Sequence, residues 1–193
     1  MQISEILQSQ ELVLNKGKAR VFAVTVFLAL MIIGAYVRVP LPFTPVPITL
    51  QTLFVILGAA MLGRKFGSVT MLGYMGLGLA GLPVFQGYGS GLAHIMGPTG
   101  GYIIGFIAGS VVIGELFDVY RPAGFLRTAV FLLAGQLTIY VFGISWLCLI
   151  LKIGPYAALM MGLVPFLPGA IFKLVLASLI YQKIGPKVRQ AIS

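Results

Sequence analysis

Between Val21 and Gln182 the chain is a succession of long apolar runs, separated by short charged breaks or by breaks rich in proline and glycine. About 20 apolar residues cross the hydrocarbon core of a bilayer once as an α-helix. The composition leaves little alternative. Charged residues make up 9% of the 193-residue chain and hydrophobic residues 59%. A soluble domain carries about 25% charged residues, so this chain has too few to cover a water-facing surface. Strands of a membrane barrel alternate apolar and polar residues over about 10 positions. The runs here are longer and apolar on all sides, which excludes a barrel. With connections of ~5–10 residues, about five to seven crossings fit and no separate soluble domain does.

The breaks predict an all-α membrane protein with six transmembrane helices, over 21–37, 48–63, 68–82, 99–117, 128–151 and 167–182. Residues 1–20 read as a cytoplasmic lead, either a frayed tail or an amphipathic helix through Ile3, Ile6, Leu7, Val13 and Leu14. Polar and mixed in charge, they do not have the pattern of a cleavable signal peptide. Residues 21–185 form the membrane domain, and 186–193 a cytoplasmic tail. Pro40, Pro42, Pro45 and Pro47 fall within eight residues and mark an ordered turn or an extended segment, since proline breaks helices. Val84–Pro98 is a glycine-rich loop. Tyr156–Phe166 is apolar but short and reads as a re-entrant or interfacial segment.

Positive charges set the orientation. Lys16, Lys18, Arg20, Arg64, Lys65, Arg121, Arg127, Lys183, Lys187 and Arg189 fall on the side that holds both termini under a six-span count. Arg38 and Lys152 fall on the other, and Lys173 lies within the sixth span. Both termini are therefore expected in the cytoplasm. The net charge of +9 follows from this asymmetry. No basic stripe with interleaved aromatics points to nucleic acid. Cys148 sits in an apolar run with no second cysteine to pair with.

The three long irregular segments, Pro40–Pro47, Val84–Pro98 and Lys152–Pro168, all fall on the extracytoplasmic side. Non-helical backbone at membrane depth must be buried in protein or line a cavity. The arrangement suits a pocket that receives a solute from outside; ordinary proline-rich turns are the alternative. Lys173 stands in the outer half of the sixth span among Ile171, Phe172, Leu174 and Val175. A lysine there marks a functional site by default, or else its long stem carries the ammonium to the interface. Glu5, Glu11, Glu115 and Asp118, the chain's acidic residues, all fall on the cytoplasmic side. An anionic ligand would give Lys173 the partner the chain does not supply.

Gln136, Tyr140 and Gly143 share one face of the fifth span, fit either for a ligand's polar group or for interhelical hydrogen bonding. Gly101, Gly105 and Gly109 form a small-residue ridge for close helix packing. His94, with no cysteine or acidic neighbour, makes a poor metal site. No GxxxxGK[ST] phosphate loop occurs, and no catalytic constellation gathers on one side of the membrane. The chain reads as a binding protein rather than an enzyme, needing no metal or cofactor and drawing energy from a partner that hydrolyses ATP.

The segments PLPFTPVPITLQTLF (Pro40–Phe54), GLPVF (Gly81–Phe85), GPTGGYIIGF (Gly97–Phe106), GQLTIY (Gly135–Tyr140) and PFLPGAIFK (Pro165–Lys173) resemble the BioY family. These are the biotin-specific substrate-binding (S) components of energy-coupling-factor (ECF) transporters. The motifs occur in the family's order and cover nearly the whole chain after the lead. The resemblance implies six helices and an outer biotin pocket closed by the first, third and fifth loops. It implies as partners a transmembrane coupling protein and two ATPase subunits, and transport by toppling of this subunit in the membrane. Carried over by motif, the pocket would include Phe43 and Thr44, Phe85, Gln86 and Tyr88, Gly97, Pro98 and Thr99, and Tyr140 and Lys173. Two departures stand out. The family's last motif reads Pro-Gly-Asp-x-x-Lys, but Ala170 takes the acidic position here. The Ala-xxx-Ala face of the first helix is interrupted, since Ala29 is followed by Ile33, and Ala19-xxx-Ala23 lies nearer the cytoplasm. An S component for another small vitamin, a stand-alone biotin carrier or facilitator, and a purely structural membrane protein remain alternatives.

Overall fold

The structure is a computed structural model that describes residues 2–122 and 124–192, with side chains from Asn15 onward. The side chains of Ile3, Ile6, Leu7, Val13 and Leu14, on which an amphipathic lead would rest, lie outside the described residues. Helix α1 spans Gln2–Tyr36, a hairpin of β1 (Arg38–Leu41) and β2 (Thr44–Thr49) follows, and α2 spans Gln51–Leu79. The short helix α3 (Gly91–Ile95) leads to α4 (Gly100–Tyr120) and α5 (Phe125–Leu151). The short α6 (Pro155–Gly162) precedes α7 (Leu167–Ile192). Among the described residues, five helical stretches are long and apolar enough to cross a membrane. Helix α1 runs unbroken through the expected boundary at residue 20. Helix α7 continues past Pro186 to Ile192, so the expected tail is largely helical.

One of the five stretches, α2, is two helical arms. Gly63 has φ 73° and ψ −177°, a conformation essentially restricted to glycine. Beyond it the chain turns back on itself. A Cβ added at Gly67 would lie 3.0 Å from the Ala59 Cα. Gln51 Nε2 donates to Tyr74 Oη at 2.6 Å, although a straight helix would hold these residues about 35 Å apart. Arms 51–62 and 64–79 are therefore antiparallel, with the reversal beside Arg64 and Lys65. Polar groups from two other helices clamp the bend. Asp118 of α4 accepts the Arg64 backbone N–H at 2.9 Å, and Arg189 of α7 donates to the Ala60 carbonyl at 2.8 Å. Arg189 and Asp118 also form an ion pair.

The proline-rich stretch is extended, and its backbone physics says why. A residue before proline is pushed towards extended conformations, and Val39, Leu41, Thr44 and Val46 all precede prolines. Arg38 pairs with Thr49, Val39 with Ile48 and Leu41 with Thr44 in an antiparallel hairpin whose register shifts between Val39 and Leu41. Pro40, which has no N–H to give to the ladder, occupies that shift. A small sheet thus stands where an all-α reading placed only a turn or an extended segment.

Helix α4 is central, packed between α2 and α5. The Gly101–Gly105–Gly109 ridge lets α5 approach: a Cβ at Gly101 would lie 2.1 Å from the Trp146 Cβ, and one at Gly109 2.8 Å from the Gly135 carbonyl oxygen. Met31, Ile56, Ile113, Phe117, Leu132 and Ile139 fill the interior. Phe22, Leu126, Val141, Leu149 and Phe172 face outward, as lipid-facing side chains do. Ala19 and Ala23 pack against the core, whereas Ala29 and Ile33 are exposed.

The three irregular segments meet at one end of the bundle. Thr44 Oγ1 donates to the Met161 carbonyl at 2.9 Å, tying the hairpin to α6. Tyr36 Oη donates to the Pro83 carbonyl at 2.7 Å, and Trp146 Nε1 to the Gly97 carbonyl at 2.9 Å. Arg20, Lys65, Arg121 and Arg189 border a separate cavity around the α2 bend.

Candidate binding site

A cavity opens where the three irregular segments converge. Its wall takes Val46, Pro47, Ile48 and Thr49 from β2, Gln51 and Thr52 from the start of α2, Gln86 and Thr99 from the long loop, and Tyr102 and Phe106 from α4. Tyr140 of α5, Phe166 before α7, and Lys173 of α7 close it. Its atom-free space, counted out to its open mouth, is about 490 Å³.

Lys173 is the cation of this site. It stands nearly two turns into α7 and its residue is 9% exposed, so it has not carried its ammonium out to the interface. Nζ donates to the Thr49 carbonyl at 2.5 Å and to Thr52 Oγ1 at 3.0 Å. Both bonds use the junction of β2 and α2, so the lysine ties the last helix to the hairpin. An ammonium has three N–H groups, so one remains beyond these two bonds. No ion pair reaches Lys173 among the described residues. The N-termini of two long helices, α2 at Gln51 and α4 at Gly100, also border the cavity. Helix N-termini carry partial positive charge. The site thus gathers positive potential and offers no carboxylate to meet it, and an anionic group suits it.

The other polar groups divide into committed and available. Gln51 is engaged at both ends: Oε1 accepts from Thr49 Oγ1 at 3.3 Å, and Nε2 donates to Tyr74, which passes the chain on to the Val84 carbonyl. Tyr102 Oη donates to the Gly162 carbonyl at 2.8 Å. The buried Gln136 Oε1, one turn below Tyr140, has no hydrogen-bond partner. The apolar walls of Val46, Ile48, Phe106 and Phe166 complete a pocket fit for a mostly apolar ligand with a few polar groups.

Of the residues expected here, Gln86, Thr99, Tyr140 and Lys173 line the cavity. The other six are not among its lining residues. Phe43 is 59% exposed at the hairpin turn. Thr44 is buried and spends its hydroxyl on Met161. Phe85 is fully buried, with Tyr74 edge-on to its ring at 5.4 Å and His94 stacked on it at 4.9 Å. Tyr88 is 68% exposed and lies against Tyr36 at 4.7 Å. Gly97 presents its carbonyl to Trp146, and Pro98 is half-buried next to Thr99. Sequence reasoning missed Thr49, Gln51, Thr52, Tyr102, Phe106 and Phe166. Two of these had a readable signal: Thr99, Tyr102 and Phe106 fall at i, i+3 and i+7, one stripe of a helix.

His94 braces the long loop. Burial lowers its imidazole below the usual histidine value of 6.5, and Nε2 has no partner, so a proton there gains nothing. The unfolded chain takes up the proton first as pH falls. The His94 contribution to stability is therefore complete above about pH 6.5 and declines as pH falls towards the lowered folded value. The melting temperature in detergent is expected to drop between pH 7.5 and pH 5, and His94→Phe, which keeps the stack, should flatten that drop.

The sequence profile of the BioY family matches residues 8–190. The chain belongs to the BioY family. The biotin transporter BioY of Thermotoga maritima is 41% identical over 156 residues, covering 80% of this chain and 89% of that protein. The probable biotin transporter BioY of Pyrococcus horikoshii is 39% identical over 161 residues, covering 83% and 93%. The crystal structure of the S-component for biotin from an ECF-type ABC transporter superposes with a TM-score of 0.80 at 28% identity, over 88% of this chain and 91% of that one. This chain is a multi-pass protein of the cytoplasmic membrane.

Proposed function

We propose that this chain captures biotin and serves its uptake as the substrate-binding subunit of an ATP-driven ECF transporter. The observation that carries this reading is the cavity beside Lys173, built where hairpin, long loop and last helix meet in a BioY-family chain. Biotin has an apolar thioether ring and valeryl chain, a ureido group with donors and an acceptor, and one carboxylate. Apolar walls, polar groups at Gln86, Thr99 and Tyr140, and one cation match that inventory. The reversal within α2 supports six crossings rather than five. The gathering of basic groups at the end away from the cavity supports cytoplasmic termini and a cavity that faces outward. Energy for uptake is assigned to a transmembrane coupling protein and ATPase subunits, and the chain itself works without a cofactor.

Equilibrium binding of labelled biotin to the purified chain tests the capture step, and a competition panel of other small vitamins tests its specificity. Saturable binding displaced by biotin alone is expected. Displacement by a different vitamin at lower concentration would replace the ligand assignment. Uptake by cells making this chain without ATPase partners would favour a stand-alone carrier.

The Thr44 hydroxyl pins the hairpin to α6 across the cavity's rim. Thr44→Val removes that bond to α6, together with the local one that Oγ1 accepts from the Val46 N–H at 3.2 Å, and keeps the shape. One hydrogen bond of ~0.5–1.5 kcal/mol corresponds to roughly two- to tenfold faster biotin release, read from dissociation of labelled ligand. An unchanged release rate would show that the hairpin does not gate exit.

A further inference from the structure

We propose that the basic cavity at the α2 bend binds a phosphate group, supplied by the headgroup of an anionic phospholipid. This cavity is separate from the biotin site and holds about 1210 Å³ of atom-free space counted out to its mouth. Arg20 of α1, Lys65 of α2, Arg121 at the end of α4 and Arg189 of α7 line it, against the single carboxylate of Asp118. That carboxylate is already committed to Arg189 and to the Arg64 backbone N–H. Among the described residues, Arg20, Lys65 and Arg121 have no carboxylate partner. Arg20 Nε donates to the Ile192 carbonyl at 2.6 Å, which leaves its terminal guanidinium nitrogens to a ligand. Arg20 and Lys65 lie over the Phe66 ring, at 5.5 and 5.7 Å from its centroid, which holds both on the same wall.

Basic residues at helix ends ordinarily fan out into water. Here they belong to four separate helices and border one concave space, so a single anion can meet several of them. Guanidinium groups match phosphate oxygens in bidentate geometry. Met61, Leu62 and Phe66 add an apolar stretch of wall, beside Tyr181 and Gln190. Outward apolar side chains begin directly beside the cations: Val21 and Phe22 follow Arg20, and Val119 and Tyr120 precede Arg121, all exposed. A charged pocket continuous with a lipid-facing surface fits a headgroup with its acyl chains better than an ion in bulk water. Basic pockets between membrane helices are established headgroup sites.

The test is native mass spectrometry of the full chain with phosphatidylglycerol, phosphatidylcholine and inorganic phosphate, comparing wild type with the Lys65→Gln/Arg121→Gln variant. Neither residue makes a hydrogen bond or ion pair that holds the bend, and neither lines the biotin cavity. Unchanged biotin binding then certifies the fold. Retained phosphatidylglycerol is expected in the wild type, little phosphatidylcholine, and roughly 25-fold weaker phosphatidylglycerol binding in the variant, at about fivefold per cation near the membrane surface. Competition by millimolar inorganic phosphate would support the phosphate chemistry while assigning free phosphate as its source. Equal phosphatidylglycerol retention by wild type and variant overturns the proposal. The same equality together with lost assembly with the ATPase partner would assign the cavity to protein docking instead.

Discussion

Replacing Lys173 with alanine is expected to weaken biotin binding by roughly 10- to 100-fold, the worth of one charge-assisted hydrogen bond of ~1.5–3 kcal/mol. The loss has two sources. The variant removes the cation that the cavity presents without a carboxylate partner, and it cuts the tie from α7 to Thr49 and Thr52. Biotinamide separates the possible roles of the ammonium, because it lacks the carboxylate and keeps the ureido ring. If Lys173 meets the carboxylate, the wild type prefers biotin to biotinamide and the variant loses the preference. If it meets the ureido oxygen, both ligands weaken together. Equal biotin affinity in wild type and variant, measured in detergent, would remove Lys173 from the binding machinery. Ala170 lies buried one turn before Lys173. An aspartate placed there would face the ammonium at i and i+3, and Ala170→Asp restores the family's usual motif for the same measurements.

The second large effect falls on folding. Gly63→Ala places a Cβ 2.6 Å from Asp118 Oδ1, at a backbone conformation that side-chain-bearing residues avoid. Backbone strain of ~1–3 kcal/mol adds to the displacement of a carboxylate that clamps the bend through Arg64 and Arg189. A fall in melting temperature of about 5 °C or more is expected, at ~2–4 °C per kcal/mol for a chain of this size. Removing the clashing group as well, in Gly63→Ala/Asp118→Ala, relieves the contact and leaves the strain, so the two losses should not simply add. A melting temperature equal to wild type would mean that α2 reverses by another route.

Much of the fold was legible because it depends on local properties. Apolar run length gave the helices, and the prolines gave the extended stretch after α1. The doublet Arg64–Lys65 marked the reversal inside α2 within a residue or two. The glycine ridge on α4 was readable as a packing face because its period of four is a property of one helix. The small sheet was not, since a hairpin register needs two strands and the shift at Pro40 needs their pairing. The pocket was legible in part. Lys173 stood out because a cation within an apolar span is costly wherever the neighbours lie. Thr49, Gln51 and Thr52 did not, for nothing in their own stretch shows that α7 returns to meet them. Phe43 and Thr44 drew attention within the right motif, yet the hairpin turns Phe43 outward and spends the Thr44 hydroxyl on α6.

Taken alone, the amino-acid order determined that this chain seeks a bilayer, which end of its helices gathers positive charge, and, through its motifs, the BioY family. Those follow from transfer energies and charges that each residue carries with it. Only the tertiary structure decided that one ammonium, two helix N-termini and three distant irregular segments enclose a common space, and that four basic side chains border another at the opposite end. Convergence of this kind depends on how helices cross and turn back, and crossing is set by side-chain contacts between residues far apart in the chain.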